Sequence, residues 1–154
     1  MVVRSLEMLK DQFRPQEEGE EILGPDVPYL SAIGALMYLA NSTRPDIAFA
    51  VNLLARHSAQ PTQRHWTGVK NIFRYLNGTK DLCLFFKKIF DSNMIGYTDA
   101  CYLSDPHNGK SQIGFVFLHG GTAISWKSSK QTLTATSTNH SEIIALYEVS
   151  RGCV

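Results

Sequence analysis

From Tyr29 onward, apolar residues recur at three- and four-residue steps, the spacing that lines one face of an α-helix. Leu30, Ile33, Met37 and Ala40 form the first such stripe, which Asn41-Ser42-Thr43 ends. Ile47, Val51 and Leu54 form a second, with Thr43 placed to cap its helix and Pro45 to open the first turn. A third helix is expected from Thr62 to Leu76. Its apolar face is Trp66, Val69, Phe73 and Leu76, its polar and cationic face is Thr67, Lys70, Asn71 and Arg74, and Gly78 is a natural stop. Beyond Gly78 the period shortens to that of strands: Leu82 to Lys87, Met94 to Leu103, Gln112 to His119 and Thr122 to Lys127. The turn-rich stretch Ser104 to Gly109 separates two of them, and Gly120-Gly121 makes a tight hairpin before the last. Asn139-x-x-Glu142 has the form of a capping box in front of the run Ile143 to Val149, which predicts a closing helix.

The predicted class is therefore α+β, with three parts. Residues 1–28 carry Pro15, Pro25, Pro28 and the acidic cluster Glu17, Glu18, Glu20 and Glu21, and read as a loop or linker. Residues 29–80 are a three-helix segment, and residues 81–154 are antiparallel strands followed by a helix.

Composition adds little until charge is resolved by position. The 154 residues are 44% apolar and 19% charged, which fits a folded globular chain. The longest apolar run, Ala32 to Ala40, is too short to cross a bilayer, and the Met1 segment has charges where a signal peptide needs its apolar region, so an intracellular chain without a membrane partner is expected. Cys83, Cys101 and Cys153 form no CxxC pair, and the expectation is buried, reduced thiols. The net charge of +1 conceals a segregation: residues 44–88 hold eight Lys/Arg (Arg44, Arg56, Arg64, Lys70, Arg74, Lys80, Lys87, Lys88) against Asp46 and Asp81. Such a block suits a surface that follows a phosphate backbone, and equally suits a solvated helix face.

Two carboxylates stand out. Asp99 lies inside an apolar strand, where burying a carboxylate is costly, and counting by twos places it with Ile95, Tyr97 and Cys101. Glu142 opens the last helix, with Leu146 and Val149 four and seven residues on, so it heads the expected inward stripe. Each has an ordinary alternative: Asp99 marks a strand end or bulge, and Glu142 closes the capping box. A strand, a hairpin and a helix can also bring the two together, and paired carboxylates with oxygen-only donor chemistry suit Mg²⁺. His57, His65, His107, His119 and His140 have no metal-gathering spacing, and Trp66 and Trp126 read as core packing.

The blocks Gly96-Tyr97-Thr98-Asp99-Ala100, Lys110-Ser111-x-x-Gly114-Phe115-Val116-Phe117, Ala123-Ile124-Ser125-Trp126-Lys127-Ser128 and Ser137-Thr138-Asn139-His140-Ser141-Glu142-Ile143-Ile144-Ala145-Leu146 resemble the ribonuclease H domain of copia-type (Ty1/copia) retrotransposon Pol polyproteins. Upstream, the run Pro28 to Ala40, Thr43-Arg44-Pro45-Asp46-Ile47-Ala48, His65-Trp66 and Arg74-Tyr75-Leu76-x-Gly78-Thr79 resemble the end of the reverse transcriptase in the same polyproteins. The resemblance implies a helical reverse transcriptase connection over 29–80 and an incomplete ribonuclease H-like domain over 81–154. It assigns Asp99 and Glu142 as the first two catalytic, metal-binding carboxylates, Mg²⁺ as cofactor, and the RNA strand of an RNA–DNA hybrid as substrate. Ser111 and the hydroxyls before Glu142 are candidate backbone contacts. Two further Asp ligands of the family lie beyond the helix that Glu142 opens, so this chain is expected to be inactive alone, its other partner being the rest of the polyprotein. It has no Asp-Asp pair of the polymerase kind. The alternatives are a non-catalytic nucleic-acid-binding module, working through 44–88, and an inert remnant of a decayed element.

Overall fold

The computed structural model describes residues 11, 13–88 and 93–151. The chain divides into two compact units, Met1–Leu82 and Cys83–Val154. In the first lie α1 (Tyr29–Ser42), a 3-10 turn (Pro45–Ile47), α2 (Ala48–Ala55) and α3 (Gln63–Gly78). Their core gathers Phe13, Tyr29, Ile33, Leu36, Val51, Leu54, Val69 and Ile72, among others. The stripe read for α2 is the one that is buried. Those of α1 and α3 are rotated. Leu30 is 66% and Met37 43% exposed, while Tyr29 and Leu36 face the core. Apolar residues on both sides of α1 leave the period unable to choose the face. On α3 the buried residues are His65, Gly68, Val69 and Ile72, and Phe73 is exposed. Thr43 does not cap α2; it ends α1, its N–H donating to the Leu39 carbonyl.

Two buried polar rings tie this unit together. The Tyr29 hydroxyl donates to the Leu54 carbonyl at 2.9 Å, and burial pushes its pKa up. His65 takes the part that Glu or Gln plays in an ordinary capping box: its Nδ1 accepts the Thr62 N–H at 3.0 Å, while the Thr62 side chain accepts the backbone N–H of His65. With Nδ1 an acceptor, Nε2 carries the proton, and it lies 3.1 Å from the Arg14 carbonyl. The His57 ring stacks on His65 at a centroid distance of 4.0 Å.

The second unit holds a three-stranded antiparallel sheet in the order β1-β2-β3, with β1 Met94–Asp105, β2 Lys110–His119 and β3 Thr122–Lys130, followed by α4 (Thr138–Arg151). The chain is thus α+β. Gly120 and Gly121 both have positive φ (59° and 81°), the backbone that a two-residue hairpin needs. The expected strand at Leu82 to Lys87 is absent. Among the described residues this run has no ladder partner, and Leu82, Phe85 and Phe86 are exposed; the Thr122 hydroxyl donates to the Phe85 carbonyl at 2.5 Å. Apolar character without a pairing edge does not make a strand. Between β1 and α4 a small core packs Ala100, Ile113, Ala135, Ile144 and Ala145. Cys83 and Cys101 are exposed, against the expectation of buried thiols, and Cys153 lies outside the described residues. The strand alternation explains Cys101, which lies on the sheet face away from Ala100. Among the described residues no helix is long and apolar enough to cross a membrane.

Candidate functional site

β1 is an edge strand, so every second residue turns its N–H and C=O away from β2. Ala100 is one of these. Its N–H donates to the Glu142 carboxylate at 3.4 Å, the contact by which α4 reaches the strand edge. Glu142 can make it because α4 begins earlier than the sequence suggests. The first turn is capped by Ser137, whose hydroxyl accepts the His140 N–H at 3.1 Å, and the Asn139–Glu142 capping box does not form. Glu142 consequently lies in the second turn and is half-buried. Leu146, expected on the inward stripe with it, is 59% exposed; the inward face is Ser141, Ile144, Ala145 and Val149.

Asp99 precedes Ala100 in the strand. The pairing of β1 with β2 runs without a bulge from Met94 to Cys101, so alternation sends Asp99 to the sheet face opposite Ala100 and α4. It keeps company with Ile95, Tyr97 and Cys101, as the count by twos predicts. That face, however, is the exposed one in this chain, and Asp99 is exposed with it. Among the described residues the Asp99 carboxylate makes no hydrogen bond or ion pair. Asp99 and Glu142 therefore flank one backbone step from its two sides, and no hydrogen bond joins them. Gly114, the cross-strand partner of Asp99, leaves open space above it, since a Cβ there would meet nothing within 4 Å. Glu142 is thus an oxygen donor at the strand edge and Asp99 one on the outer face of the same step, and carboxylates of this kind suit a hard cation such as Mg²⁺. Among the described residues no group of three or more His, Cys, Asp or Glu gathers as a metal cage.

The chain is 46% identical over 125 residues, 81% of its length, to the Retrovirus-related Pol polyprotein from transposon TNT 1-94 of Nicotiana tabacum, and 38% identical over 114 residues to that from transposon RE2 of Arabidopsis thaliana. The chain belongs to the copia-type retrotransposon Pol polyprotein family. It spans 9% and 8% of the length of these two Pol polyproteins. It is also 39% identical over 129 residues to the Secreted RxLR effector protein 161 of Plasmopara viticola, where the match covers 84% of this chain and 91% of that protein. No protein-family model and no solved structure matches the chain.

Two sequence blocks that carry the copia resemblance meet in the first unit. Arg44 donates in a fork to Asp46, Nε to Oδ1 at 2.9 Å and Nη2 to Oδ2 at 2.7 Å, and also to the Thr79 carbonyl and hydroxyl at 3.2 and 2.7 Å. The Tyr75 hydroxyl donates to Asp46 at 2.8 Å, and the guanidinium lies 5.6 Å from the Tyr75 ring centroid. The Arg44 guanidinium holds the Asp46 carboxyl below the usual carboxylate range. So Arg44 joins the start of the 3-10 turn to the end of α3. Arg64 is also paired, with Glu20. Arg56 Nη2 donates to the Asn52 side-chain carbonyl at 3.4 Å, so three of the eight cations counted in 44–88 are engaged inside the fold, while Arg74, Lys80, Lys87 and Lys88 are exposed and Lys70 is half-exposed. Ser111, a candidate backbone contact, is buried, its hydroxyl accepting the Leu103 N–H at 3.2 Å, where Leu103 adopts a positive φ of 50°. The His65 capping role and the Glu142–Ala100 bond were both missed by sequence reasoning. The Thr62-x-x-His65 spacing is the one signal that could have found the first.

Proposed function

We propose that the second unit is a ribonuclease H-like unit of a retroelement polyprotein, with Asp99 and Glu142 as Mg²⁺ ligands, and that its lineage hydrolyses the RNA strand of RNA–DNA hybrids. The observation that carries this reading is the Ala100 N–H bond, which holds the Glu142 carboxylate beside the residue next to Asp99. One carboxylate oxygen is oriented by that bond and the other is left to a cation. Asp99 supplies a second, unengaged carboxylate at the same strand step. Asp99 and Glu142 would hold the ion, and Mg²⁺ there would supply a polarised water for in-line attack on a phosphodiester and charge to steady the departing oxygen. The residues themselves contribute fixed negative charge and orientation. The first unit, in the same reading, is the helical end of a reverse transcriptase, and the polar face of α3, with Lys70 and Arg74, contacts the phosphate backbone of the hybrid. Membership of the Pol family supports both assignments, as does the segregation of positive charge into residues 44–88.

Calorimetric titration with Mg²⁺ tests the site. Asp99→Asn and Glu142→Gln should each weaken binding by roughly tenfold or more, since even supporting residues of metal sites cost that much. Glu148→Gln should leave it unchanged. Equal Mg²⁺ affinity in all four proteins would remove the assignment.

A further inference from the structure

The acidic stretch ahead of the helices lies across the head of α3. Arg64 donates in a fork to Glu20, from Nε to Oε1 at 2.6 Å and from Nη2 to Oε2. Arg14 is forked in the same way on Glu17, at 2.5 and 3.0 Å. The segment that carries these acids is tied down at both ends. Phe13 is buried in the helical core and the His65 ring bonds the Arg14 carbonyl, while the Leu23 N–H donates to the Pro61 carbonyl at 2.8 Å and Ile22 bridges to Thr62. Residues 13–23 thus form a strap.

What the strap covers is the first position of a polar stripe. Thr67, Asn71 and Arg74 follow Arg64 at three, seven and ten residues, which places all four along one side of α3, over about 15 Å. Arg64 Nη1 is buried and has no acceptor among the described residues. The guanidinium is thus held by one carboxylate and has a donor to spare. A forked carboxylate occupies the donor geometry that a phosphate group uses on arginine.

We propose that Arg64 is a phosphate-binding position of this chain, kept closed by the Glu20 carboxylate and opened when a nucleic-acid phosphate displaces the strap. The inference rests on the reading of the first unit as a nucleic-acid surface. The Arg64 hydrogen bond holds the Glu20 carboxyl down at about 2, so the strap stays an anion at ordinary pH and competes with phosphate by charge.

Binding of a fluorescent RNA–DNA hybrid to the full chain, measured across a salt series, tests this. Glu20→Gln should tighten binding roughly 3- to 10-fold and steepen the dependence of log K on log salt by about 0.9, the value of one more neutralised phosphate. Glu18→Gln, the same charge change at an exposed position, should do neither. Arg64→Gln should be silent alone and abolish the gain in the Glu20→Gln background. If Glu20→Gln and Glu18→Gln behave alike while the wild type binds and Lys70→Gln/Arg74→Gln does not, the strap is overturned and the nucleic-acid surface stands. If the wild type binds no better than Lys70→Gln/Arg74→Gln, the surface fails and the strap with it. Should Glu20→Gln lose its helical signal, amide exchange of the wild type decides: hybrid must lower protection at Glu20 and Leu23, and unchanged or higher protection refutes the proposal.

Discussion

His65 is the residue whose ionisation the fold constrains most clearly. A proton on Nδ1 would face the Thr62 N–H, itself a donor, so the buried ring is held neutral. Burial, the largest cause, lowers its pKa below 6.5, and the nearby Arg64 charge works in the same direction. The unfolded chain therefore takes up a proton near 6.5 that the folded chain refuses. The stability His65 contributes is full above that pH and is lost as pH falls below it. Glu20 adds a separate loss at lower pH, between its unfolded value of 4.5 and about 2, where its Arg64 bond fails. Melting of the helical unit should accordingly be level from pH 6.5 to about 10, where the raised Tyr29 begins to oppose folding, and decline below 6.5, and the His65 ring should titrate by NMR below 6.5. A midpoint at or above that value would contradict the assignment. Nothing in the apolar periodicity announced this residue. The Thr62 bond is local and its spacing could have been read, but the Arg14 bond, 51 residues away in sequence, is a tertiary fact that no local pattern carries.

At the scale of elements, the sheet places two glycines in opposite situations. A Cβ on Gly96 would lie 2.6 Å from Cε1 and 2.9 Å from Cδ1 of Phe117, a ring 7% exposed. A Cβ on Gly114 would meet nothing within 4 Å. Gly96→Ala should therefore cost about 1–3 kcal/mol, the usual range for overpacking. Gly114→Ala should be neutral or gain up to about 1 kcal/mol through the unfolded state. Denaturant unfolding followed at Trp126 reads both, and equal effects would show that the Gly96–Phe117 contact is not tight. The sequence revealed helices, strands and hairpin to within a few residues because their punctuation is local: Pro45, Gly78 and Gly120-Gly121 act on their own backbone. Faces were harder. On α2 the stripe Ile47, Val51 and Leu54 is buried, with Leu53 beside it, while α1 is apolar on both sides, so only packing decides that Leu36 goes in and Met37 out. The run Leu82 to Lys87 failed for the related reason that pairing is a property of two segments.

At the scale of the whole chain, two compact units carry two kinds of charge chemistry: positive charge along the helices, and two carboxylates on either side of one step of β1. The sequence pointed to Asp99 and Glu142 and to the copia-type family. It could not show that Glu142 binds the backbone of Ala100, or that Asp99 stands on the face away from α4, because both depend on where α4 begins and which sheet face it covers. The central claim is that these two side chains share one divalent ion across the Asp99–Ala100 step. Mn²⁺ titrated into the labelled chain and followed by paramagnetic broadening of amide signals addresses it directly. Broadening should appear first at Asp99, Ala100 and Glu142, and both Asp99→Asn and Glu142→Gln should abolish it there. Broadening that begins instead at the acidic strap, around Glu17 to Glu21, and leaves Ala100 sharp would contradict the claim.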